Sequence, residues 1–331
     1  MQEVLDKTNS GIQIDSFKGF WNPTGCNADN FYQFEINGTH MLRVARTDKA
    51  NIPREKEVID QLHKKVSLSF PDYIHISEDG TVGIYENLDG DSLTKEKYAS
   101  LSDSQKEKLA RDLASLFYGL HNLYTLEEVE KNLGILDEST QVLKGVHKRV
   151  PDPSETEQEL EKLIVENAKK SPEDQIKIPD HQFNELRKVV FAGYKKIYKD
   201  PKYKSLVHND VYNQNIIIDP ETNRLRGILE FENMAIGDIC RDPRFFYAID
   251  RDLPNKVYEN YALKTEDMDA QELQLRSDYH LGFKEISNLV KILKTPEVAI
   301  DEDLEVPSRL DQFMKTEAYQ KTLTDYQKSA D

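Results

Sequence analysis

The sequence predicts an α+β protein in two parts, a small sheet crossed by one helix and then a larger, mainly helical region. Three observations predict this. Short strand-like runs separated by Asn-Gly and Asp-Gly turns fill the chain up to residue 90. Beyond residue 90, apolar residues at helical spacing dominate. A second β-rich stretch, 206–232, interrupts the helices.

Runs 31–36 and 41–45 flank Asn37-Gly38, a strong hairpin signal. Residues 54–66 are apolar at Val58, Ile59, Leu62 and Val66, the spacing of one helix face. Runs 73–76 and 82–88 enclose Asp79-Gly80 and complete the small sheet. After Asp89-Gly90 the character changes, which places a boundary near 88–93 and divides the chain into 1–90 and 91–331. Ser102, with Asp103 and Gln105, caps a helix whose apolar stripe is Leu109, Leu113, Leu116, Phe117 and Leu120. Segment 150–200 is charged and helical in pieces, broken at Pro172 and Pro179; 253–331 returns to helix, with Leu281, Glu285, Leu289 and Ile292.

A length of 331 residues allows two lobes with separate cores. Nowhere do about 18 apolar residues run together, so no membrane partner is expected. Residues 1–9 lack the basic-then-apolar pattern of a secretory signal. Cys26 and Cys240 are too few for a disulfide framework or a zinc cluster, and a reducing cytoplasm fits. The net charge of −16 argues against a nucleic-acid partner. It suits a cationic substrate steered to an acidic cleft, or simply a charge that keeps the chain in solution.

The densest chemistry lies in 205–246. His208-Asn209-Asp210 is followed after four residues by Asn215, which runs into Ile216-Ile217-Ile218. A turn at 219–223 leads to a second strand, then Glu230-Phe231-Glu232, Gly237-Asp238 and Asp242-Pro243. Phosphoryl transfer requires a carboxylate to orient the attacking hydroxyl and accept its proton, and oxygen ligands for the magnesium that bridges the phosphates. A loop leaving one strand supplies the base, Asp210; an amide five residues on, Asn215, and a carboxylate returned by the hairpin, Glu230, supply the metal ligands. His208 braces the loop.

These motifs resemble the catalytic core of the aminoglycoside phosphotransferase and choline kinase superfamily, which shares the protein-kinase-like fold. The resemblance covers about 17–250. It implies a β-sheet N-lobe that binds the nucleotide and a helical C-lobe that holds the catalytic loop and the acceptor. Asp210 is implied as catalytic base, and Asn215 and Glu230 as magnesium ligands, although the family has Asp where this chain has Glu230. In the run 41–46, Arg43 falls where the family presents a Lys or Arg to the phosphates, and Glu57 on the next helix matches its carboxylate partner. Glu86-Asn87-Leu88 resembles the segment that holds the nucleobase through its backbone, and Gly25, in Gly25-Cys26-Asn27-Ala28-Asp29, the phosphate loop. Leu120-His121 resembles a structural helix ending of the family.

The expected activity is magnesium-dependent transfer of the γ-phosphoryl group of ATP or GTP to a hydroxyl of a small amine-bearing acceptor, aminoglycoside-like or choline-like. A catalytically silent nucleotide-binding protein is the alternative that Glu230 raises. A protein kinase fits less well, because Glu232 stands where an Asp-Phe-Gly motif needs Gly.

Overall fold

The structure is a computed structural model and describes residues 2–20, 31–46, 51–135, 152–173, 175–176, 181–198, 200–295, 320 and 324. After a short helix, α1 (Gln2–Asp6), come β1 (Phe17–Phe20), β2 (Phe31–Ile36) and β3 (His40–Ala45), then α2 (Ile52–Leu62), β4 (Tyr73–Ile76) and β5 (Val82–Glu86). The strands form one antiparallel sheet in the order β1-β2-β3-β5-β4. Asn37 and Gly38 at the β2–β3 turn both have positive φ (54° and 69°), the conformation that makes Asn-Gly a hairpin signal. Helix α2 begins two residues before the expected 54, because the Asn51 side chain caps Arg54 N and Pro53 suits the first turn.

The chain then crosses to the larger part through β6 (Asp91–Ser92), α3 (Lys95–Ser100), α4 (Asp103–His121) and α5 (Leu126–Leu133). Helix α4 opens with the anticipated capping box, Ser102 with Gln105. Helices α6 (Pro153–Asn167) and α7 (His181–Ile197) come next, with Pro172 between them; Pro179 lies outside the described residues. They lead to β7 (Lys204–Val207), β8 (Ile216–Ile218), β9 (Leu225–Ile228) and β10 (Ala235–Asp238), then α8 (Asp252–Ala262) and α9 (Ala270–Lys294). Strand β10 pairs with β7, and β8 lies between β6 and β9.

The two parts share one core. The inner face of the sheet, with Phe31, Tyr73 and Tyr85, belongs to the same buried cluster as α2, α4, α8 and the β7–β10 region. Alternation along the strands explains this, since one face of a sheet must be covered by whatever lies across it. The opposite face, with Ile36, Leu42, Val82 and Ile84, is closed by Leu5 of α1. Helices α6, α7 and α9 form a third cluster around Phe191, Tyr194 and Phe283.

The larger part is also stitched to the segment after α2. Ser69 N donates to Arg226 O at 2.8 Å, and Ser69 forms a parallel bridge with Gly227. A Cβ on Gly227 would collide with Ser69 O, so only glycine permits this approach. Among the described residues, no helix is long and apolar enough to cross a membrane.

Candidate active site

Arg43 is the organising residue on the sheet side. It sits in β3 opposite Gln33 of β2, so both side chains leave the same face. Arg43 is 1% exposed, and its guanidinium lies 3.9 Å from the Phe31 ring centroid. Nη1 donates to Glu55 Oε2 at 2.6 Å and to the Tyr73 hydroxyl at 2.9 Å. Nη2 donates to Glu232 Oε2 at 3.0 Å and to Glu230 Oε2 at 3.3 Å. Gln33 Nε2 takes the other Glu230 oxygen at 2.8 Å. Burial pushes the Glu55 carboxyl above its ordinary value, and the nearby Arg43 charge pulls it back.

The expected partner of Arg43, Glu57, is corrected to Glu55. On α2 the buried positions are Ile52, Glu55, Val58, Ile59 and Leu62, whereas Glu57 is exposed and accepts from Gln61. Two residues along a helix turn the side chain by about 200°, so Glu55 and Glu57 cannot share a face. The sequence carried the signal, because Glu55 precedes Val58 by three residues and Ile59 by four.

The loop after β7 brings the second group together. Asn209 has a φ of 64°, which asparagine tolerates. Asp210 Oδ2 accepts from Asn233 Nδ2 at 2.6 Å, and Asp210 O accepts from Asn215 Nδ2 at 2.9 Å. His208 is buried; its Nε2 faces Leu229 O at 3.0 Å, and its Nδ1 accepts from Asp210 N at 3.3 Å. That pattern places the proton on Nε2, and burial holds the imidazole pKa below its ordinary value.

Beneath the loop, Asp242 is completely buried and accepts from His208 N (2.9 Å), Asn209 N (2.8 Å) and His121 Nε2 (3.2 Å). Burial alone would raise its pKa, but the His121 contact and the loop amide hold the carboxyl below the ordinary range. His121 is buried too, stacked on Phe117 and hydrogen-bonded to Tyr261 at 3.2 Å.

The hairpin end joins the two groups. Glu230 adopts a left-handed backbone, φ 69° and ψ 61°, and the short turn Phe231–Asn233 comes directly after it. This bend sends Glu230 and Glu232 to Arg43 and Asn233 to Asp210, so one turn touches the sheet and the loop. Asn233 and Gln33 were not singled out from the sequence, and Glu232 was read only as a motif residue, with no partner assigned to it. Glu86, Asn87 and Leu88 lie at the end of β5, with Asn87 N bound to Thr39 O at 2.9 Å. Gly25 lies outside the described residues.

A two-part α+β chain in which one turn, 230–233, joins a buried arginine of the sheet to a loop carrying Asp210 is a kinase-like phosphotransferase. The family model of the phosphotransferase enzyme family matches residues 25–272, and the chain belongs to that family. It is an enzyme that transfers a phosphoryl group to an alcohol. Its fold is similar to that of a variant of aminoglycoside 2'-phosphotransferase-IIIa solved with GDP, at 17% identity over 94% of this chain and 95% of the other, TM-score 0.70. The gentamicin complex of APH(2")-IIa matches at 20% identity over 96% and 97% of the two chains, TM-score 0.58. The macrolide 2'-phosphotransferase MphH from Brachybacterium faecium matches at 17% identity over 93% and 96%, TM-score 0.59.

Proposed function

We propose that the protein is a magnesium-dependent small-molecule kinase that uses ATP or GTP and acts on an acceptor hydroxyl through Asp210. The carrying observation is the Asp210 carboxylate, held at 2.6 Å by Asn233 on the turn whose other residues reach Arg43. In this reading Asp210 takes the proton of the acceptor hydroxyl. The oxygen then bonds to the γ-phosphorus as the bond to the β-phosphate oxygen breaks, and the nucleoside diphosphate leaves. His208 holds the loop and never meets the substrate. Arg43 faces the phosphates, and the backbone of Glu86, Asn87 and Leu88 holds the base. The lobes divide near residues 88–93, into 1–90 and 91–331, and the cytoplasm suits a chain with two cysteines.

Asn215 and Glu230 would hold the magnesium. Their fit rests on donor chemistry, an amide oxygen and a carboxylate, both hard ligands of the kind this ion accepts beside phosphate and water. Bound there, magnesium would neutralise charge on the phosphates. An amine on the acceptor is supported by the net charge of −16 and by relatives solved with gentamicin and with streptomycin.

Asp210→Asn tests the reading. Turnover should fall by about 10²-fold or more, with nucleotide affinity kept within a few-fold; wild-type turnover in this variant would remove Asp210 from its role. The silent alternative rests on Glu230, both of whose oxygens are already taken by Gln33 and Arg43. It prevails if the wild type binds nucleotide without turning over any acceptor while Glu230→Asp restores transfer.

A further inference from the structure

Two residues beyond Asp210, the wall of the site is cationic. Tyr212 is 43% exposed in extended backbone (φ −70°, ψ 156°), with buried Val211 between it and Asp210. Burial alternates here, with Val211 buried between half-buried Asp210 and exposed Tyr212, so Asp210 and Tyr212 both lie on the open side of the segment. The Tyr212 ring meets Phe245 edge-on at 4.6 Å. Lys284 of α9 sits against both rings, its Nζ 5.2 Å from the Tyr212 centroid and 4.9 Å from that of Phe245, and it donates to the Tyr212 hydroxyl at 3.4 Å.

Arg244 lies against the same Phe245 ring, at 4.6 Å. It is only 8% exposed, its Nε has no hydrogen-bond partner, and the structure shows no ion pair for it among the described residues. Asp242, close in sequence, already accepts from His208 N, Asn209 N and His121. Burial lowers the Arg244 pKa, against the pull of Tyr212, Tyr194 and Asp242, yet a guanidinium stays charged at any physiological pH. A buried cation that no carboxylate meets in an ion pair is among the costlier arrangements a fold can keep. Two cations against one ring also repel each other until an anion joins them. Neither feature suits a polyamine placed at this wall.

Building on the kinase reading above, we propose that the acceptor carries an anionic group, carboxylate or phosphate, which binds between Arg244 and Lys284 beside Tyr212 and holds the reacting hydroxyl toward Asp210. An amine on the same molecule would then face away from this wall. Arg244 thereby selects the acceptor.

The test titrates inorganic phosphate, acetate and tetramethylammonium calorimetrically into the protein, with and without a non-hydrolysable ATP analogue and magnesium. Wild type, Arg244→Met and Lys284→Met are compared. Nucleotide binding is measured first; its absence would sink the kinase reading, while the nucleotide-free anion titration still decides this one. The wild type should bind phosphate or acetate with nucleotide present, and Arg244→Met should weaken that binding by about tenfold or more, as expected for one charge-assisted contact. A stronger phosphate arm assigns a phosphorylated acceptor, and a stronger acetate arm a carboxylate. The unfolding midpoint of ligand-free Arg244→Met should hold or rise, because an uncompensated charge has gone. Should that variant fail to fold, Lys284→Met decides by the same criterion of weakened anion binding. No anion binding by the wild type, binding of tetramethylammonium alone, or a fall in midpoint with anion affinity unchanged would each overturn the proposal.

Discussion

Asp242 should be the costliest single carboxylate to remove from the loop region. Asp242→Ala leaves two amides without their acceptor, that of fully buried His208 and that of half-buried Asn209. Each orphaned buried donor costs about 1–3 kcal/mol, so the variant should lose about 2–6 kcal/mol. Against a total stability of about 5–15 kcal/mol, that is a large share. Asp242→Asn keeps one acceptor oxygen and should lose about half as much. Urea unfolding followed by far-ultraviolet circular dichroism reads the difference as a shift in midpoint at unchanged slope. The folded fraction of Asp242→Asn should also turn over slowly, because the same amides set the position of Asp210. A loss under about 1 kcal/mol for Asp242→Ala would refute the reasoning, since it would mean that water or another acceptor serves those donors.

Glu55→Gln should destabilise by about 3 kcal/mol or more, because Arg43 keeps its buried charge, while Glu57→Gln should stay within about 0.5 kcal/mol; equal effects in thermal unfolding would reject the assignment of Glu55 as the partner. Gly227→Ala should lower the unfolding midpoint by several degrees, since a Cβ there meets Ser69 O and the strap must open; an unchanged midpoint would show that the strap yields freely. His280 is buried, and burial lowers its pKa to about 4 despite Asp238 beside it. The unfolded chain takes up that proton near pH 6.5 and the folded one does not, so stability is lost as pH falls from about 6.5 toward 4, by up to about 3 kcal/mol. His280→Gln should flatten the urea midpoint across that interval, and an equally steep profile in the variant would assign the slope elsewhere.

Legibility in the sequence depends on how local each signal is. The Asn37-Gly38 turn, the Ser102 cap and the stripe on α4 are set by neighbours a few residues apart, and they appear where expected. The His208-to-Asn215 loop was legible because one loop supplies both side chains. Strand β6 was not, because its two residues exist only through pairing with β8, far along the chain. Gln33 reaches the site through its register with Arg43, which no local pattern encodes. Glu232 and Asn233 point to opposite partners because of the left-handed backbone at Glu230, and a sequence motif carries no record of that bend. Arg244 had no signal either, since what distinguishes it is the missing partner.

The double grip on Glu230 has a consequence for any measurement of cation binding. If Glu230 holds magnesium as proposed, the arriving ion does not meet an idle ligand; Gln33 and Arg43 already hold its two oxygens. Arg43 therefore acts as a tethered competitor that dialysis cannot remove and dilution cannot weaken. Apparent affinity then equals intrinsic affinity scaled by the fraction of molecules in which the grip is released. Gln33→Ala, which loosens one side of the grip without touching a charge, would make that hidden equilibrium visible as tighter apparent binding in an otherwise unaltered carboxylate.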